Sequence, residues 1–315
     1  ASLFNQVNIT FDYFRDYRDR ILMKRASFGK LLGYWGSTPW SNIGEVLNTG
    51  FEVSVNWKKQ FGKDWQVDFR GNFTYNRNEY KFSDEPNYPS VWQTETNKPL
   101  NRLTGYVAEG LFSSQEEINN WPDQTQLGSK PMPGDIKYKD VNGDGVITTD
   151  DEVPLGYRQQ PGLQYGIGLS ASWKNWNFSM LLQGTGKCDF FVGGSGPHAF
   201  HDGRTGNILQ VMVDGNRWIP KEISGTEATE NPNADWPRLT YGNNNMNNRA
   251  STFWLKDRKY LRLRNVELSY DFPQVWTRKF LVSNLRLGFI GQNLFTWAPF
   301  DWWDPEGTNE SGSSY

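Results

Sequence analysis

Cysteine is almost missing from this chain. The single residue, Cys188, excludes an intramolecular disulfide and any cysteine-rich metal site, and no activating partner stands near it in sequence. Histidine is nearly as scarce. His198 and His201 lie three apart in a glycine-rich stretch with no third ligand in register, so they read as solvated loop residues rather than a zinc site. No apolar run approaches the length of a membrane helix. No secretory leader stands at the start, as for a mature, truncated or cytosolic chain. The net charge is only −2 across 315 residues, which leaves no electrostatic case for nucleic acid. Hydrophobic residues are few at 37%, and mean hydropathy is −0.72, unlike a helical enzyme of one or two domains.

Aromatics, by contrast, reach 16%, with 15 Trp, 14 Tyr and 20 Phe beside 31 Gly. That balance suits a β-protein whose apolar residues are diluted by alternation. The alternation is there. Val7, Ile9, Phe11 and Tyr13 oppose Asn8, Thr10 and Asp12 in a strand over Val7 to Arg18. Phe51 to Trp57 forms a second strand. Trp65, Val67, Phe69, Phe73 and Tyr75 mark a third, interrupted at Gly71. Tyr165 to Trp173, Trp176 to Leu182, Tyr260 to Phe272 and Leu285 to Ile290 follow. Ser113 to Trp121 reads as one or two helical turns capped by Ser113 or Ser114, and Pro273 to Leu281 as a short helix.

The connections alternate in length. Those after strands one, three, five and seven are long, and those after two, four and six are short. The first long one carries Gly29, Gly33, Gly36, Pro39 and Gly44. The next two cover 77–161 and 186–257, and a polar tail, Asp301 to Tyr315, ends the chain. Short turns on one rim and long loops on the other are the rule of an outer-membrane barrel. Trp57 and Trp65 flank one short turn, Trp173 and Trp176 the next, as in an interfacial aromatic belt. The expected fold is all-β: an antiparallel transmembrane barrel with long extracellular loops.

Inside the second long connection, Asp140, Asn142 and Asp144 fall at positions 1, 3 and 5 of a twelve-residue loop. Gly145 falls at 6, Val146 offers a carbonyl at 7, and Asp151 stands at 12. That is calcium-loop spacing, and hard oxygen donors suit Ca²⁺. Position 12 is Asp rather than Glu, and the flanking helices of an EF-hand are absent. The expected role is structural bracing of the long loop, the competing reading an Asx-rich turn that holds no metal.

Several stretches together resemble one family. Pro133-Gly134-Asp135-Ile136-Lys137-Tyr138-Lys139-Asp140 leads into Asn142-Gly143-Asp144-Gly145. Tyr260-Leu261-Arg262-Leu263-Arg264-Asn265-Val266 opens strand six, Gly291-Gln292-Asn293-Leu294-Phe295 ends strand seven, and Asp304-Pro305-Glu306 follows. Over nearly the whole of 1–315 the chain resembles the C-terminal barrel portion of SusC/RagA-type TonB-linked outer-membrane transporters. The resemblance implies a barrel of about 22 strands, of which seven are read here. It further implies a plug domain, early strands and a last strand outside this fragment. It also implies a TonB contact through the missing N-terminal region, a SusD-like lipoprotein lid, and uptake of oligosaccharide or peptide across the bacterial outer membrane.

The loop aromatics Trp92, Trp218, Trp236, Trp302 and Trp303 are the candidate ligand-facing groups, since flat rings stack on sugars and hold peptides alike. Loop packing or contact with the lid is the alternative for each. Arg262 and Arg264 are expected at the outer rim, against lipid headgroups or loop carboxylates. Adjacent carboxylates such as Glu116-Glu117 do not make a catalytic pair, and no enzyme is expected. The competing function is a secreted, soluble, calcium-braced carbohydrate-binding β-domain. Its apolar strand faces would be buried in a sandwich.

Overall fold

The structure, a computed structural model, describes residues 2–3, 6–27, 38–194, 196–200, 207–242 and 244–307. Gly29, Gly33, Gly36, His201 and the tail beyond Gly307 lie outside the described residues. Seven long strands run side by side in chain order, each antiparallel to the next. They are β1 (Val7–Lys24), β2 (Trp40–Phe61), β3 (Trp65–Phe82), β4 (Leu163–Trp173), β5 (Trp176–Gly186), β6 (Tyr260–Asp271) and β7 (Arg286–Trp297). A two-residue piece, Ser2–Leu3, pairs on the free side of β1. Among the described residues the sheet is open: β7 does not pair back to the first edge.

Register lines the side chains into rows. One row on the polar face reads Thr10, Ser54, Asn72, Gly166, Gln183, Arg262 and Thr296 across all seven strands. On the other face, Phe61, Trp65, Trp173, Trp176, Tyr270 and Leu287 form a row beside the short turns. Trp65 stacks on Trp173 at 5.7 Å between ring centroids, and Trp176 meets Tyr270 at 4.8 Å. Trp57 does not belong to this row, because Phe61 takes the place opposite Trp65 and Trp57 sits higher, opposite Phe69. A second aromatic row, Tyr13, Phe51 and Tyr75, lies ten residues up β3 from Trp65. Ten residues span about 33 Å, or about 25 Å along the normal at a tilt of about 40°. The two rows therefore bracket an apolar band of the height a bilayer requires. Within it Phe11 is 63% exposed and Phe289 69%. A soluble sandwich would bury that face; here no second layer covers it among the described residues.

The strands outrun what alternation shows. β1 continues six residues past Arg18 through a register shift at which Arg20 takes φ 53°, which breaks the period of two. β2 begins eleven residues before Phe51 and runs through Gly44 and Gly50, glycines that resemble a loop in sequence. Gly50 is needed for close approach: a Cβ there would meet the Tyr75 carbonyl and the Phe14 ring. β3 runs on to Phe82, so the connection that follows is 83–162 rather than 77–161. The next long one is 187–259. The short helix before β7 forms at Gln274–Thr277, and β7 extends to Trp297 past Asn293, which has φ 51°.

The well-buried apolar residues are not in the sheet. Among the described residues, of the buried hydrophobic side chains only Leu47 and Tyr260 belong to long strands. The rest lie in 83–162, 187–259 and the segment after β7, where Tyr106, Ile136, Tyr138, Trp218, Met246 and Trp254 anchor one common cluster. The long loops thus form a packed body of their own on the rim away from the short turns.

Candidate functional site

The loop body is tied at Asp135. Its carboxylate is wholly buried and lies 2.7 Å from the Arg238 guanidinium. It also accepts from the Asn247 amide at 2.8 Å and from the Met132 backbone N–H at 2.9 Å. Burying a carboxylate is costly unless it is paired and hydrogen-bonded, and Asp135 is both. Around it, the Ile136 N–H donates to the Asn247 side-chain oxygen at 2.9 Å. The Tyr138 hydroxyl donates to the Met246 carbonyl at 2.8 Å. Burial pushes the Tyr138 and Tyr106 phenols well above the ordinary tyrosine value, so both stay neutral hydrogen-bonding groups. The first long loop is thereby locked onto the second. Sequence reasoning missed Arg238, Asn247 and Asn244, whose amide also reaches Asp135 at 3.4 Å, because an asparagine-rich run without periodicity carries no local signal.

Beside this knot, Ser114 caps the helix α1 (Gln115–Asn119), its hydroxyl accepting from the Glu117 N–H at 3.2 Å. Burial would raise the Glu117 pKa. The Lys137 ammonium at 2.6 Å and donors from Ser113 outweigh it and hold the carboxyl down at about 2.

The twelve-residue loop is closed by its own oxygens. Asp140 accepts from the N–H groups of Gly143 at 2.6 Å and Gly145 at 2.8 Å. Asn142 and Asp144 bond each other at 2.9 Å. Gly143 and Gly145 take φ 78° and 85°, which a side chain would resist. Asp151 is fully buried and turned to the backbone, accepting from Val141 at 2.8 Å, Asn142 at 3.3 Å and Thr148 at 2.9 Å. Among the described residues no three His, Cys, Asp or Glu side chains converge as a metal-binding set.

The five candidate tryptophans separate. Trp218 and Trp236 are 2% and 5% exposed and pack in the loop core. Trp92 is half-buried and donates from its indole to the Asp150 carbonyl at 3.1 Å, bracing the twelve-residue loop from outside. Trp303 packs on Phe300, ring centroids 4.7 Å apart. Trp302 borders an open cavity. Its ring lies 4.9 Å from that of Trp236 and 5.6 Å from the Lys256 ammonium. These three, with Val211, Asp235 and Phe253, line a cavity of about 330 Å³. Burial holds the Lys256 pKa below the ordinary lysine value, with Asp235 opposing the shift. An aromatic wall with one cation and one carboxylate can seat a polar ligand by ring stacking and charge-assisted hydrogen bonds.

The stretches from strands six and seven meet at the rim. Arg262 and Arg264 project from the polar face of β6 to the segment after β7. Arg262 reaches Asp304 at 2.5 Å and Glu306 at 2.9 Å, and Arg264 reaches Glu306 at 2.8 Å. Of the two expectations for these arginines, loop carboxylates is the one realised. The Tyr260 hydroxyl also donates to Glu306. His198 is not a solvated loop residue: it is buried, its ring 4.9 Å from that of Trp254. Cys188 is buried too, and burial pushes its thiol pKa up, away from a reactive thiolate.

No protein-family model matches the chain. It is 33% identical over 207 residues, 66% of its length, to TonB-dependent receptor P26 of Formosa agariphila. It is 23% identical over 275 residues, 84% of its length, to TonB-dependent receptor SusC of Bacteroides thetaiotaomicron. The chain spans 19% and 24% of those two relatives. A solved structure of the RagAB peptide transporter superposes with a TM-score of 0.67 at 20% identity, over 96% of this chain and 31% of that one.

Proposed function

This chain belongs to the SusC/RagA-type TonB-dependent receptors of the bacterial outer membrane, and from that premise we propose that it forms part of the wall and the outer loops of a nutrient importer. The observation that carries the proposal is the two-faced sheet. Its apolar band meets lipid, its polar rows line an aqueous lumen, and the loop body roofs the extracellular rim of a barrel of about 22 strands. Energy enters through TonB by way of the rest of the protein, and a SusD-like lipoprotein covers the mouth.

The cargo is an oligosaccharide or a peptide, and Trp302, with Trp236 behind it, is the ligand-contacting group in the cavity shared with Lys256 and Asp235. The solved neighbour RagAB is a peptide transporter, which supports the peptide class. The cavity favours cargo with hydrogen-bonding groups next to a flat apolar face. Asp140, Asn142 and Asp144, with the Val146 carbonyl, are the donors for a structural Ca²⁺, and Asp151 holds the loop backbone behind them. Support comes from their spacing and from the two left-handed glycines, which let the loop turn sharply.

The test is purification of the native receptor from outer membranes, followed by peptide mapping and tryptophan-fluorescence titration with maltoheptaose and with a casein-derived peptide mixture. Co-purification of a surface lipoprotein and quenching by one ligand class are expected. A receptor with no companion that responds to neither class overturns the reading.

A further inference from the structure

β3 outruns β4. Above Tyr75 it has no β4 partner, and the chain around 156–162, Lys187 and 98–102 fills the space instead. A notch of about 250 Å³ remains, lined on its polar side by Arg77, Arg102, Arg158 and Lys187 together with Tyr75 and Tyr157. Among the described residues no acidic side chain lines it. Arg77 pairs with Glu79 at 3.5 Å but keeps 60% of its side chain exposed. Arg102, Arg158 and Lys187 have no carboxylate within salt-bridge distance among the described residues. Arg158 donates only to Asn76, and Arg102 to the Gln93 carbonyl at 3.1 Å. The second terminal nitrogen of Arg102 is buried without a hydrogen-bond partner. The Lys187 ammonium lies 4.6 Å over the Tyr75 ring.

Height decides what meets this cluster. Tyr75 belongs to the upper aromatic row, and Arg77 is the next residue up on the same face, opposite Thr49. Aromatic rows mark the edge of the hydrocarbon, so one step beyond lies the headgroup layer. Three guanidinium groups and an ammonium around a notch that no acidic side chain lines among the described residues call for a multivalent oxyanion, and guanidinium forks match phosphate.

We propose that this notch binds the phosphate of an anionic lipid of the outer leaflet, with Arg77, Arg158 and Lys187 as the phosphate ligands and Arg102 behind them. The proposal rests on the orientation given above, with the long loops outside. Labelling of a Lys130→Cys variant in intact cells by an impermeant maleimide tests that orientation on its own.

The experiment uses the full-length receptor in detergent, with native mass spectrometry to count retained lipid. The probes are bisphosphorylated lipid A, dephosphorylated lipid A and inorganic phosphate. Bisphosphorylated lipid A is expected to be retained and the dephosphorylated form lost. The triple variant Arg77→Gln/Arg158→Gln/Lys187→Gln is expected to weaken retention about tenfold or more. Arg18→Gln, an exposed cation elsewhere on β1, is expected to leave it unchanged. Heat-modifiable migration on gels verifies that each barrel is folded, and the single Lys187→Gln variant serves if the triple one is not. Equal retention of dephosphorylated lipid A, or equal retention by a folded variant, overturns the proposal. So does a site that inorganic phosphate occupies while lipid A does not, which would make it a site for soluble anionic cargo.

Discussion

The Asp135 carboxylate and the Arg238 guanidinium meet at 2.7 Å across 103 residues of sequence, one from each long loop, with the carboxylate closed off from water. Everything that roofs this rim hangs on such cross-loop bonds, and the consequences are measurable.

Asp135→Ala leaves Arg238 without its buried partner, and breaking a buried pair from one side costs about 3–5 kcal/mol. The loop body is expected to open while the barrel persists. Hydrogen exchange at the Ile136 and Tyr138 amides rises steeply in the variant, and heat-modifiable migration stays as in the wild type. An unchanged exchange pattern would show the knot to be dispensable.

Glu117 makes part of this order depend on pH. Its carboxyl sits at about 2 in the folded loop against an ordinary value of 4.5. A depressed pKa gives stability that is fully present above about pH 4.5 and is lost as pH falls toward 2, at most about 3 kcal/mol. Protease cleavage within 113–139 is expected to accelerate through that window in the wild type. Glu117→Gln flattens the profile and leaves the loop looser at neutral pH.

The twelve-residue loop gives a metal test. Asp144→Ala, or removal of Ca²⁺ by a chelator, is expected to increase proteolysis between β3 and β4 severalfold without affecting barrel assembly. Adding Ca²⁺ back restores protection in the wild type but not in the variant. Identical digestion with and without chelator in the wild type removes calcium from the account.

The tryptophans answer differently to substitution. Trp302→Ala opens the cavity beside Lys256 and is expected to weaken cargo binding about tenfold, the upper end for one aromatic contact, with folding intact. Trp236→Ala removes a buried ring and is expected to destabilise the loop body by about 3–5 kcal/mol. Titration of each folded variant against its thermal midpoint separates binding from packing.

Alternation made the wall legible. Val7 to Tyr13, Trp65 to Tyr75 and Tyr165 to Trp173 each present one apolar edge, and all lie in strands with those residues on one face. It failed at Arg20 and at Asn293, where positive φ angles break the period, and at Gly50, where a missing side chain serves packing rather than a turn. The loop body was nearly illegible. Irregular backbone imposes no spacing, so nothing local announces that Asp135 meets Asn247 or that His198 lies against Trp254. The rim arginines fell between. Their motif pointed to carboxylates or lipid, and only geometry, through Asp304 and Glu306, chose between them.

Because the buried apolar side chains of the described residues gather in the connections, with only Leu47 and Tyr260 in the long strands, this chain divides its folding between two media. Hydrocarbon tails stand in for an interior along the wall, while the roof encloses its own and answers to water alone. Denaturation should therefore come in two separate transitions, the roof melting at modest denaturant and the wall surviving until the detergent or bilayer itself is taken away.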